Sequence, residues 1–382
     1  MPRARKERGS AADGLTRRVQ RTGSSSLTIT LPKAWTGSMN LQAGDTLRFR
    51  DLGGGRLELL PTSAETPSEQ HQKLLRIDAS RAPPKLLARL LIGGYITGQD
   101  QIVVTSLSGV RPDQRREIRR TVSHVLGMTI VGEEAGSIDV QSFIDPGKYQ
   151  LHRLMSQVVR MLLTELGTCR SVLMGEDHTA LERLEPMEDE IDRFYLLMVR
   201  QLLLASDDFQ VARDIGVESH HYQIGYRLIA KVLEVTGDLI YGVGRELGGN
   251  LSRLRSLPKK ALSDLVALIT RVERLLEQTM SAFSRLSVVD ANAKLNEIER
   301  LLPVDYTLGD ALARRVSDRR AAVAAQRVIS NLLMTMEMLV IVNEVTINRS
   351  VEPETVAKTD RQVPMPSVGD PRGGSYGTSA DL

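Results

Sequence analysis

The feature that most constrains this chain is a helical hydrophobic period that sets in at Tyr149 and persists, with short interruptions, to residue 347. Apolar residues recurring at three- and four-residue steps specify amphipathic helices that bury one face. Leu151, Met155, Val158, Leu162 and Glu165 trace the first stripe, widened by Leu154, Val159, Leu163 and Leu166. Leu184, Glu188, Ile191, Tyr195, Met198 and Leu202 form the second, and Leu228, Val232, Val235, Leu239 and Gly242 the third. The cycle then repeats. Leu262, Leu265, Ile269, Val272 and Leu276 make a stripe after Pro258, residues 288–319 a helical stretch broken near Leu302-Pro303, and residues 320–347 carry Val323, Val328, Leu332, Thr335, Met338 and Val342. Two successive groups of three helices predict two tandem all-α three-helix bundles, over 147–250 and 251–350.

What precedes the helices has a different period. Leu27, Ile29 and Leu31 alternate with Thr28 and Thr30, a strand signal that Pro32 ends, and Lys33 to Met39 can form a helical turn. Gly44-Asp45 turns the chain into Leu47–Arg50, and Gly53, Gly54 and Gly55 return it through Arg56–Leu60. This β-module, 16–61, is too small to bury much apolar area alone, so pairing with a second copy is the expected remedy. Residues 62–73 read as a linker. A small α/β connector follows over 74–146: a helix from Lys85 to Ile92 stopped by glycine, a strand from Gln101 to Ser106, a helix opened by Pro112, and strands at Met128–Val131 and Ile138–Ile144. The predicted fold is multidomain, with a flexible basic arm at 1–15 and a flexible tail at 351–382.

Composition bears on function mainly by exclusion. The net charge of +3, from 50 Lys and Arg against 47 Asp and Glu, is close to neutral for 382 residues. Its distribution is uneven: Arg3, Arg5, Lys6, Arg8, Arg17, Arg18 and Arg21 face only Glu7 and Asp13 over residues 1–21. The single cysteine, Cys169, excludes an internal disulfide framework and a cysteine zinc cluster, and is expected to be a small core or boundary residue. No apolar run follows the basic arm, and the other apolar runs are too short or charge-interrupted to cross a bilayer, so a cytoplasmic protein, not an integral membrane one, is expected.

Val19-Gln20-Arg21-Thr22-Gly23, then Ser26–Lys33, Leu41, Gly44-Asp45 and Leu57–Leu60 resemble the swapped-hairpin DNA-binding domain of the AbrB and SpoVT type. The helical region resembles the PhoU phosphate-uptake regulators, and the combination looks like the long archaeal PhoU-related regulators. Glu188-Asp189-Glu190-Ile191-Asp192 resembles the acidic motif on the second helix of a PhoU bundle, and Glu234-Val235-Thr236-Gly237-Asp238 its counterpart on the third. The resemblance implies a homodimer of interlocked hairpins on double-stranded DNA and a role in phosphate uptake or metabolism. It also implies an alternative: an adaptor for a phosphate-transporter component or signalling protein, with the β-module used only for dimerisation.

Under this resemblance Arg17, Arg18, Arg21 and, less directly, Lys33 are the DNA contacts, since guanidinium groups bind phosphates and guanine edges. Trp35 is assigned to the core rather than to base stacking. Glu188 and Asp192 lie four residues apart on one helix face, and Glu234 and Asp238 repeat the spacing on the next. Carboxylates in such a seam are costly to desolvate unless a cation or a basic partner meets them. Their oxygens suit Mg²⁺, Mn²⁺, Fe or Zn²⁺. The competing reading is an acidic face bridged to Arg227 or Lys231, and Asp189 and Glu185 stand as substitutes if the helix is rotated. The second group of helices lacks such pairs: Asp290/Lys294, Asn296/Arg300 and Glu337/Ile341 break the pattern. His220-His221 diverge around a helix and define no site, and no catalytic residue is expected.

Overall fold

A computed structural model describes residues 16–53, 55–61, 73–217 and 220–351. Expectations for the basic arm, the linker and the tail lie outside the described residues. The chain divides into two compact units at residues 72 and 73.

In the first unit, β1 (Gln20–Thr22) and β2 (Ser26–Thr28) form an antiparallel hairpin in which Arg21 stands opposite Leu27. Gly23 turns it with φ +76°, a conformation costly for a residue with a Cβ. The strand expected from Leu27 to Leu31 is thus shorter and starts earlier. Helix α1 (Lys33–Ser38) follows, and Asp45 accepts the Gln42 backbone N–H at 2.7 Å to fix the next turn. Strands β3 (Leu47–Gly53) and β4 (Arg56–Pro61) pair antiparallel with a register shift between Asp51 and Gly53. Val19, Leu27, Ile29, Phe49 and Leu57 are all more than half exposed. Among its described residues the module has apolar surface and no core to put it in.

The second unit opens with the α/β region. Strand β5 (Leu74–Asp78) runs parallel to β6 (Gln101–Thr105), while β7 (Met128–Glu133) and β8 (Ser137–Ser142) complete a sheet in the order β5-β6-β8-β7. Helices α2 (Leu86–Ile96) and α3 (Pro112–Ser123) pack on it through Leu87, Leu91, Tyr95, Ile118 and Val122. The glycine break expected after Ile92 does not occur: α2 runs through Gly93-Gly94. A Cβ on Gly94 would lie 2.7 Å from Ile102 and 2.9 Å from Leu75, so this glycine serves close packing of helix on sheet.

Helices α4 (Leu151–Met174), α5 (Leu184–Asp207), α6 (Phe209–Asp214), α7 (His220–Arg255), α8 (Lys259–Arg285), α9 (Val288–Arg315) and α10 (Arg319–Ser350) make up the rest. Their apolar stripes share one continuous core, so what stands here is an extensive helical region with a single core cluster. The break expected at Leu302-Pro303 is absent, and Pro303 lies inside α9. The stripe of α7 is partly rotated from the expectation, whereas that of α10 departs from it at one end. On α7 Val232 is buried as traced, but Ile229, Leu233, Ile240, Val243 and Leu247 are buried beside it and Leu228 is exposed; on α10 Val328, Leu332, Thr335 and Val342 are buried along the traced stripe, and its first member, Val323, is exposed. Helix α10 is long and apolar enough to cross a membrane by length and composition, and over half of that window is buried within the protein, as in a core helix.

A carboxylate cluster between three helices

Glu188 and Asp192 occupy successive turns of α5, and Glu234 and Asp238 successive turns of α7, so where the two helices pack their acidic rows meet. The Glu188 carboxyl lies close to that of Asp238. Burial first, then Asp192 and Asp238, push Glu188 up to about 7. Burial, Glu234 and Asp238 push Asp192 up to about 6. Asp192 and Asp238 thus bear on Glu188, and Glu234 and Asp238 on Asp192, while Asp238 itself is exposed.

A fifth was not assigned a role in advance. Glu165 of α4 is fully buried, and neither carboxylate oxygen has a hydrogen-bond partner. Desolvation, with the charge of Glu188 adding to it, raises its pKa to about 8. The signal was present in the sequence, because Glu165 falls on the apolar stripe of its helix, and an acid at a stripe position must be neutralised or paired.

The basic partners behave differently from one another. Lys231 donates to Glu234 at 2.5 Å, one i,i+3 pair at the rim. Arg227 instead donates to the Tyr195 hydroxyl at 3.2 Å and lies over its ring. One lysine is opposed to five acids. Asp189 lies 4.0 Å from His124 Nε2 at the end of α3 and also bears on Glu188 and Asp192, and Glu185 lies near Tyr241. Among the described residues no group of three or more His, Cys, Asp or Glu side chains is drawn together closely enough to hold a metal ion. The donor set still suits a hard cation in kind: oxygen only, from three helices, with one buried acid lacking any partner.

The second group of helices shows the counter-case. Arg271 Nη1 donates to both Asp305 oxygens at 2.5 and 2.6 Å, Arg285 meets Asp290 at 3.0 Å, and Tyr306 donates to Glu337 at 2.5 Å. Asn343 is buried on Thr279 and the Leu339 carbonyl. These acids are already partnered.

Arg17 and Arg18 precede β1, Arg21 lies within it and Lys33 opens α1; all four are exposed. Arg17 donates to the Thr16 carbonyl. Trp35 is half-buried. Cys169 is buried one helical turn from Glu165, its thiol pushed up to about 12 by burial, so it does not furnish a thiolate at neutral pH. The side chains of His220 and His221 lie outside the described residues.

Together these define a β-module joined to a large helical region, a multidomain β+α protein whose candidate site is built from acids. A family model described as "Antidote-toxin recognition MazE, bacterial antitoxin" matches residues 20–67. The phosphate transport system regulatory protein PhoU from Streptococcus pneumoniae is similar in structure, at 14% identity and a TM-score of 0.43, over 56% of this chain and 96% of that one. No curated protein matches the sequence. The chain has a distant structural similarity to the PhoU family and, at its N-terminus, a similarity to the MazE/AbrB-type swapped-hairpin fold.

Proposed function

We propose that the chain is a non-enzymatic regulator of phosphate uptake that works as a PhoU-like interaction adaptor in the cytoplasm. Its helical region, two sets of three long helices on one core, docks a phosphate-transporter component or signalling protein, and its β-module joins two copies. The phosphate setting comes from the resemblance of the two acidic motifs. The observation that carries the rest is the carboxylate cluster: acids from α4, α5 and α7 with one lysine among them. Such a cluster stores repulsion that a divalent or iron cation relieves, and relief changes how tightly three helices pack. Glu188, Asp192, Glu234 and Asp238 would hold the cation.

Metal content and partner capture test this together. Chain stripped with chelator and then offered Mg²⁺, Mn²⁺, Fe²⁺ or Zn²⁺ should retain about one ion or more per copy by elemental analysis and melt at higher temperature. The Glu188→Gln/Asp192→Asn/Glu234→Gln/Asp238→Asn variant should retain none. Capture of a phosphate-transporter or kinase component by the loaded chain, lost in that variant, is the supporting outcome; equal capture by both sinks the cation's role.

A second reading, regulation on double-stranded DNA, is favoured by one observation. Arg17, Arg18 and Arg21 stand exposed, and among the described residues none has a carboxylate partner. Duplex binding measured over a salt series should show a log–log slope that shrinks by about one for each phosphate contact removed. No binding by folded chain at low salt leaves the adaptor alone.

A further inference from the structure

An open cleft of about 980 Å³ lies between the α/β region and α5, within the second unit. One wall is basic. Arg116, Arg120 and His124 sit at four-residue steps on one face of α3 and just beyond its end, and Lys85 stands at the start of α2. Among the described residues, neither Lys85 nor Arg116 nor Arg120 has a side-chain hydrogen bond or ion pair. Of the acids on that wall, Asp113 is paired with Arg111 at 3.2 Å, while Glu117 accepts the Ala88 backbone N–H at 3.0 Å and keeps its charge. Facing them, α5 contributes Asp189 and Asp192, the latter a member of the carboxylate cluster. Ala88, Ile92, Val125 and Leu196 form an apolar strip between the two walls.

Three cations with one carboxylate, Glu117, among them, opposite Asp189 and Asp192 across a roomy cleft, select their ligand by charge. A bare anion would meet Asp189 and Asp192, and a bare cation would leave the guanidinium groups unmet. We propose that the cleft takes a phosphoanion as its divalent-cation complex, phosphate oxygens on Lys85, Arg116 and Arg120, cation toward Asp189 and Asp192. The forked donors of arginine match phosphate oxygens. Phosphate of this kind comes either with an organic body, as in a nucleoside diphosphate, or without one, as in pyrophosphate; the apolar strip favours the first. The cation half rests on the carboxylate cluster holding metal, whereas the anion half rests on α2 and α3 alone.

Calorimetric titration of the full chain with ADP and with pyrophosphate, each in Mg²⁺ and in EDTA, tests this. The expected result is saturable binding in Mg²⁺ that is about tenfold weaker or more in Arg116→Gln/Arg120→Gln. Mn²⁺ uptake without anion should be unchanged in that variant, whose circular dichroism and melting should match the parent because both positions are exposed. The tighter of ADP and pyrophosphate identifies the source. Failure of both anions to bind, or binding indifferent to the two substitutions, overturns the proposal; retained Mn²⁺ uptake in that case leaves the cation site standing. Binding equally tight in EDTA overturns the chelate form.

Discussion

Glu165 is a carboxyl group with nowhere to put its charge: no hydrogen-bond partner, full burial, and Glu188 nearby. Its folded pKa of about 8 stands above the ordinary 4.5. Below the lower value both folded and unfolded chains hold the proton, and the full stability is present. Between the two the unfolded chain releases it and the folded chain does not, so stability falls as pH rises, by about 1 kcal/mol per pH unit. Glu165→Gln removes the ionisation and keeps the shape. In chelator, the urea midpoint of the variant should rise relative to the parent between pH 5 and pH 8, and a gap that stays flat would mean Glu165 is not held protonated. Glu188 and Asp192, raised to about 7 and about 6, act in the same direction over the lower part of that range. A bound cation should cancel the effect by replacing the proton.

At the scale of elements, α5 does two jobs, carrying acids on one side and locking the α/β region with Arg200. That guanidinium is almost wholly buried and donates to the Tyr95 carbonyl at 2.5 Å and the Gln99 carbonyl at 3.1 Å, where α2 ends. Arg200→Met should cost about 2–4 kcal/mol by denaturant titration, because the carbonyls lose their donor inside the protein. Gly94→Ala should cost about 1–3 kcal/mol, since Ile102 and Leu75 must move to admit the methyl. The two cases show what the sequence could and could not tell. Helix starts, the period of α4 and the four-residue acid pairs are local signals, and they emerged directly. Gly94 reads locally as a breaker, and only the strand lying against it explains why the helix continues. Pro303 also reads locally as a breaker yet lies inside α9, and the stripe of α7 was only partly placed. That helix is packed on several sides, so an apolar face chosen by period alone misplaced Leu228 while Ile229 went inside. Glu165 sat on a correctly traced stripe, but its lack of any partner is a property of three helices together.

For the whole molecule the β-module sets the terms. Among its described residues only Pro61 is buried, while Leu27, Phe49 and Leu57 are each more than 60% exposed. Apolar side chains of that size gain roughly 1.5–3 kcal/mol each when covered, and a unit lacking any core has no other source of stability on that scale. A second copy offering the same exposed strands is a partner that would cover them. The chain should therefore run as a dimer by light scattering at micromolar concentration. Leu27→Glu/Phe49→Glu should shift it to monomer, with the helical signal in circular dichroism retained, because the helices have their own core. If the doubly charged variant remained a dimer, the contact between copies would have to be made by the helical unit instead. Any control by the carboxylate cluster would then act on assembly directly rather than through a partner protein.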